Sequence, residues 1–238
     1  MSTLQENLDA IKLDKDTNLK PENLKKGITC LGVTGTLESG ASSDYNTKIG
    51  DNYTNGNLYW FITEISSLNI KDSVTDTSNM FSSFLYLTAI PEFNTSNVTN
   101  MYGMFMNCRK ITNIPVMNTS KVTNMEKMFY SCTNLTELPQ LDTSSVTNMN
   151  QMFYDCSSLT TIPLLDTSNA TNMYNMFSNC TSLSDESLNN ILVMCANAAK
   201  ITSNKTLKSI GLTEEQAQIC TTLSNYQAFV NAGWTTGY

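Results

Sequence analysis

Cysteine is the most reactive side chain this sequence contains, and four of its seven cysteines stand at one interval: Cys108, Cys132, Cys156 and Cys180 are each 24 residues apart. Residues one structural repeat apart would sit ~4.7–4.9 Å from each other along a ladder, a separation compatible with the Cα range of a disulfide. Their side chains would point in parallel, however, and a bond between two of them would pull the repeats out of register. Zinc favours clustered short spacings such as C-x₂-C, which are absent. The expectation is therefore a column of buried, reduced thiols. Asp142 and Asp166 repeat at the same step, but two carboxylates make a poor calcium site, and their place before Ser and Thr suits capping. The pairs Thr99-Asn100, Thr123-Asn124, Thr147-Asn148 and Thr171-Asn172 could be a row of ligand contacts; the plainer reading is that the asparagines satisfy backbone groups in turns. The chain has no histidine. That removes Ser-His-Asp and Cys-His catalysis, a histidine general base and histidine-bearing zinc sites. With no glycine-rich phosphate loop and no prominent acidic pair, we expect neither an enzyme nor a cofactor or metal.

The element that positions these residues is an internal repeat. Met80-Phe81, Met104-Phe105, Met128-Phe129, Met152-Phe153 and Met176-Phe177 follow the 24-residue step, as do Val74, Val98, Val122, Val146 and Ala170. Leu87, Ile111, Leu135, Leu159 and Leu183 form another column; Pro91, Pro115, Pro139 and Pro163 form a fourth. Phe84 stands where later repeats have cysteine. A fixed period in the twenties with a recurring apolar set predicts stacked coils, each burying its face against its neighbours. Within one coil, Val146, Met149, Met152, Phe153 and Cys156 recur at three or four residues, which predicts a short helix or 3₁₀ segment. Leu159 to Ile162, ended by Pro163, reads as a strand. The expected fold is an α/β repeat, a solenoid of five 24-residue coils over residues 70–189 with a narrow parallel sheet on one side and a helical wall on the other.

The string L-x-x-I-P-x-L-D-T-S-x-V-T-N-M-x-x-M-F-x-x-C resembles the BspA-like leucine-rich repeat, also described as the mycoplasma-type surface-protein repeat. The resemblance covers about half the chain. It implies a leucine-rich-repeat-like solenoid and adhesion to surfaces, and it implies no catalytic residues. A second resemblance lies near the N-terminus. Lys15 to Thr29, ending in Gly32 to Leu37, is similar to a short segment of tail and tail-fibre proteins from phages infecting Firmicutes.

Both ends of a solenoid need covers. Residues 184–238 read as a helical C-terminal cap. Leu188, Ile191, Leu192 and Cys195 share a helical face after Ser184, Thr213 to Gln216 and Ser224 to Gln227 read as capping boxes, Gly233 reads as a C-cap, and Trp234 is expected to pack back on the cap. Residues 44–69, with Tyr59, Trp60, Phe61, Ile65 and Leu68, would close the other end. Residues 39–43 read as a flexible linker to an N-terminal attachment module, residues 1–38. There Leu4, Leu8 and Ile11 form a stripe suited to a homo-oligomer, and Ile28 to Leu37 reads as strand with glycine-permitted bends.

Net charge is −7 and only 15% of residues are charged, which argues against nucleic acid and against anionic lipid as partners. The polar N-terminus lacks an apolar signal core and nothing reads as a membrane span, so synthesis in the cytosol and no membrane insertion are expected. The positions that vary between coils carry the recognition reading. Two of them, four residues apart, hold Tyr102/Met106, Glu126/Tyr130, Asn150/Tyr154 and Tyr174/Ser178, a strip rich in tyrosine, which is favoured at recognition surfaces. The rival surface is on the sheet side: Arg109, Lys110, Thr112, Asn113, Thr136, Glu137, Thr160 and Thr161. Joined to the two resemblances, these surfaces suggest a phage tail-fibre or receptor-binding protein in the virion tail, touching other tail proteins and a host-surface glycan or protein. A bacterial cell-surface adhesin and a structural tail spacer are the competing readings.

Overall fold

The computed structural model describes residues 74–201 and 209–236, residues 68 and 72, and three short strands: β1 (Ile28–Cys30), β2 (Val33–Thr34) and β3 (Ile62–Ile65). Leu4, Leu8, Ile11, the linker 39–43 and Tyr59, Trp60 and Phe61 lie outside the described residues.

The 24-residue repeats lie directly against one another. Phe81, Phe105, Phe129, Phe153 and Phe177 form one column of parallel rings, with centroids 5.3, 5.6, 5.6 and 5.4 Å apart. The Met, Val, Cys and Leu columns surround them, and every member from Val98 onward is buried. Phe84 fills the cysteine position of the first repeat by meeting Phe81 edge-on at 5.9 Å. Parallel bridges link Asp76 to Asn100, Asn100 to Asn124, Asn124 to Asn148 and Asn148 to Asn172.

Local structure within a repeat differs from the helix-and-strand expectation. In the Val–Met–Phe–Cys segment there is no helix. The N–H groups of Met104, Met106 and Cys108 close turns onto the carbonyls of Met101, Gly103 and Phe105 (3.2, 3.0 and 3.0 Å). The alternate N–H groups of Met101, Gly103, Phe105 and Asn107 leave the repeat and reach the carbonyls of Asn124, Glu126, Met128 and Tyr130 (2.9, 2.9, 2.9 and 2.7 Å). An α-helix directs each N–H to its own chain four residues back, so spending every other one on a neighbour forbids it. Each repeat also has two left-handed residues four positions apart, among them Gly103/Asn107, Lys127/Ser131 and Gln151/Asp155. The expected strand from Leu159 to Ile162 is likewise absent. One backbone rung per repeat crosses there, Thr136 N–H to Thr112 C=O and Thr160 N–H to Thr136 C=O (3.3 and 3.2 Å), and the proline that follows has no N–H to extend it.

The C-terminal cap consists of α1 (Asp185–Asn197), α2 (Glu214–Cys220) and α3 (Tyr226–Asn231). Ser184 Oγ caps α1 by accepting the Ser187 N–H, and α2 carries the full Thr213/Gln216 capping box. The second expected box is not formed: the N-cap of α3 is Asn225, without a side-chain cap bond. Gly233 follows α3 at φ 77°, as a C-cap glycine does. Trp234 is buried against Phe229, with centroids 6.5 Å apart. This cap supplies the bonds a sixth repeat would have made. Asn175 and Phe177 N–H donate to Ser209 and Ile210 carbonyls (2.8 and 3.1 Å), and Gln216 Nε2 donates to Cys180 C=O (2.6 Å). At the other end β1 pairs antiparallel with both β2 and β3, and Ile65 N–H in β3 donates to Ala89 C=O at 3.3 Å.

Candidate binding surface

The repeat-invariant polar residues are occupied internally. Asn100, Asn124, Asn148 and Asn172 each accept, through Oδ1, the N–H two residues on (3.1, 3.0, 3.1 and 3.0 Å). Asn100 and Asn124 also donate to the preceding member of the column, Asp76 and Asn100 (both 3.1 Å). Asp142 and Asp166 accept the N–H of Ser144 and Ser168 (3.0 and 2.9 Å), and Asp142 also accepts the Ser144 hydroxyl (2.7 Å); hydrogen bonding from the serine hydroxyls, and after it from the serine N–H groups, holds both carboxyls below the usual carboxylate range. They cap turns, where the sequence suggested helix caps. The ladder of Thr99, Thr123, Thr147 and Thr171 is exposed, each Oγ1 donating to the carbonyl of the threonine one repeat back (3.2, 3.2, 3.1 and 2.9 Å).

The cysteine column is buried and free of disulfides. Cys108, Cys132, Cys156 and Cys180 donate S–H to the carbonyls of Phe81, Phe105, Phe129 and Phe153 (3.1, 3.1, 3.1 and 3.0 Å). Burial pushes all four thiols up, Cys180 to about 12, which makes them poor nucleophiles and poor metal ligands. Among the described residues no group of three His, Cys, Asp or Glu could hold a metal, and no helix is long and apolar enough to cross a membrane.

Positions that vary between repeats lie both on the turn segment and beyond the cysteine column; the tyrosines are on the turn segment. Tyr102, Met106, Tyr130, Tyr154 and Tyr174 are half-buried there. Tyr130 and Tyr154 are brought together, with parallel rings 4.7 Å apart at 4°. Lys127 Nζ lies 6.0 Å from the Tyr102 ring centroid and 3.9 Å from Glu126 Oε1. The Glu126 carboxylate accepts from Asn148 Nδ2 (2.8 Å) and Asn150 Nδ2 (3.1 Å). It thereby diverts Asn148 from the asparagine ladder, and Asn150 Oδ1 is left buried without a partner. Arg109 and Lys110 follow Cys108 at the exit from the turn segment and are exposed. So are Thr112, Asn113, Thr136, Glu137, Thr160 and Thr161.

Two surface residues escaped sequence reasoning. Val116 and Leu164, each directly after a column proline, are 67% and 54% exposed. The available signal was the apolar identity of a position that holds Glu92 and Gln140 in other repeats. An open groove of about 560 Å³ lies between the last repeat and α2, lined by Thr181, Leu183 and residues 213–216, 218 and 219.

No curated protein and no solved structure matches the chain. One family does, over residues 55–156 and again over residues 107–208. The two matches are offset by about two repeats and together take in the stacked aromatic column and the first cap helix. The chain therefore belongs to the family described as "Mycoplasma protein of unknown function, DUF285", the mycoplasma-type, BspA-like surface repeat.

Proposed function

We propose that this chain is a non-enzymatic binding protein, a phage tail-fibre or receptor-binding protein whose repeats form a leucine-rich-repeat-like solenoid. In this reading residues 1–38 attach to the tail and the repeats touch a host-surface glycan or protein. The observation that carries it is the division of labour within the repeat. Invariant polar residues spend their hydrogen bonds inside the repeats, on backbone groups and on neighbouring side chains, whereas Tyr102, Tyr130, Tyr154 and Tyr174 are placed at positions free to vary. A rigid backbone with a variable aromatic surface is the pattern of a recognition module. The resemblance of residues 15–37 to phage tail segments supports the tail assignment.

Membership in a surface-repeat family favours one second reading, a bacterial cell-surface adhesin. Two experiments address these readings. Labelled full-length protein is incubated with a panel of intact Firmicutes cells, as parent, as Tyr130→Ala/Tyr154→Ala and as Arg109→Ala/Lys110→Ala. The parent is expected to attach to at least one strain and one double variant to lose attachment; attachment by neither the parent nor any variant would leave the tail-spacer reading in its place. Tail, holin and lysin genes beside the coding sequence would support the phage assignment, and wall-anchoring or secretion genes there would support the adhesin.

A further inference from the structure

We infer that the turn-side column through Tyr130 and Tyr154 is a track for a neutral, linear glycan lying parallel to the stacking direction, with one sugar residue per repeat. The inference rests on the receptor-binding reading and names the ligand chemistry of that same surface.

Ring geometry comes first. Tyr130 and Tyr154 are parallel and 4.7 Å apart, so each covers one face of the other. Their column continues to Met106 on one side and Ser178 on the other. A ligand running along this column meets ring edges and phenol hydroxyls instead of open ring faces. A proline-rich peptide, which docks between aromatic walls, lacks its groove here. An amphipathic helix would need an apolar groove, and beyond Met106 at one end this surface carries hydroxyls, amides and the Lys127–Glu126 pair. A chain of sugars, with hydroxyl donors and acceptors along its flank, matches paired phenol groups that both donate and accept.

Spacing gives a second, independent constraint. Aromatic centroids repeat every 4.7 to 5.6 Å along the stack. An extended peptide advances ~3.3–3.4 Å per residue and presents like-facing side chains every second residue, so it drifts out of phase within a few repeats. An extended β-1,4-linked pyranose chain also turns over at each residue, but it advances by one ring per residue, a length close to this step, so each ring meets one repeat and like edges meet every second repeat, in phase over the whole column.

Charge sets the third constraint. Lys127 is held against Glu126, whose carboxylate is also bound by two asparagine amides. Next to Tyr154, Asp155 accepts the Ser131 hydroxyl at 3.0 Å. The track thus offers a neutralised cation and a further carboxylate, which disfavours a polyanion and suits an uncharged polymer.

The test is calorimetric titration of the full chain with cello-, chito-, manno- and xylo-oligosaccharides of two to six residues. In at least one series affinity should rise with each added sugar up to four, the number of column positions from Met106 to Ser178, and then level off. Tyr130→Phe/Tyr154→Phe keeps the ring stack and removes both hydroxyls. It should weaken the tetrasaccharide roughly tenfold, as expected for two lost hydrogen bonds, with the unfolding temperature unchanged. No binding in any series, binding that ignores length, or a phenylalanine variant that binds like the parent would each overturn the inference. Cell attachment separates this failure from failure of the broader reading. If the sugars fail while the parent still attaches to cells, the glycan track is wrong and receptor binding stands. If the sugars bind as described while no cell is attached, the track stands and the receptor assignment falls.

Discussion

A thiol sealed in an apolar column must ionise without water, and this makes the cysteine ladder a stability device that depends on pH. Cys108, Cys132 and Cys156 are wholly buried and pushed up by that burial, Cys180 is pushed up to about 12, and Cys220 in the cap to about 11. In the unfolded chain these thiols return to about 8.5. Below that value both states are protonated and the contribution of the thiols is fully present. Above it the unfolded state loses protons first, so stability falls as pH rises toward the folded values. The urea midpoint should therefore decline from pH ~8.5 upward, and Cys132→Ala/Cys156→Ala should flatten the decline. A midpoint independent of pH over that range would contradict a buried, protonated ladder. Alkylation without reductant should label the column cysteines in denaturant and spare them in the native protein. Phe129 sits between Phe105 and Phe153, 5.6 Å from each, so Phe129→Ala should cost about 3–5 kcal/mol by cavity formation, measured by chemical denaturation. These columns were legible from a single sequence because identity and spacing recur together. The Tyr130–Tyr154 stack was not, because the 24-residue step places both side chains in one column without saying which way their rings face.

At the scale of the element, the same spacing that suggested a helix turns out to serve a chain of four-residue turns. Val146, Met149, Met152, Phe153 and Cys156 face inward in either geometry, so hydrophobic periodicity alone cannot separate them. The distinguishing signal was weaker: Gly103, and asparagine at positions 79, 107, 175 and 179, are residue types tolerant of left-handed backbone. Lys127 and Gln151 occupy the same site, at φ 54° and 52°, without that tolerance. Gln151→Gly should consequently raise stability by up to ~1 kcal/mol, the left-handed strain relieved less the added chain entropy. Gly103→Ala should lower it by about 1–2 kcal/mol, because φ is +55° and an added Cβ would meet Asn79 Oδ1 at 2.6 Å. Opposite signs in urea denaturation would support the turn architecture, and a stabilising Gly103→Ala would mean the segment prefers a helix. In the cap, Thr213 to Gln216 was readable because capping box and helix start coincide. Ser224 to Gln227 carried the same signature without forming it, since α3 starts one residue later, after Asn225.

For the whole molecule, the boundary drawn at residues 39–43 meets a sheet that crosses it. β1, from the segment assigned to attachment, is hydrogen-bonded to β3, from the segment assigned to capping, and β3 in turn reaches the first repeat through Ile65 and Ala89. Composition drew that boundary at a Ser- and Gly-rich stretch, but pairing between strands far apart in sequence leaves no mark in composition. This changes how self-association through residues 1–38 has to be tested. Removing residues 1–43 would take away β1 and β2 and leave β3 with an open edge, and an open edge itself promotes association. A mass measured on that truncation would mix the loss of one interface with the creation of another. Substituting Leu4, Leu8 and Ile11 together by serine in the full chain removes the apolar stripe and keeps the strands. If the stripe is the interface, light scattering should give a multiple of 26.4 kDa for the parent and a single chain mass for the triple variant, with the repeats still folded by circular dichroism. A stripe this short is marginal as a helix by itself, so the oligomer should also dissociate on dilution. Equal masses for parent and variant would remove the Leu4, Leu8 and Ile11 stripe as the source of assembly, and any avidity from joining several repeat arrays would need a different interface.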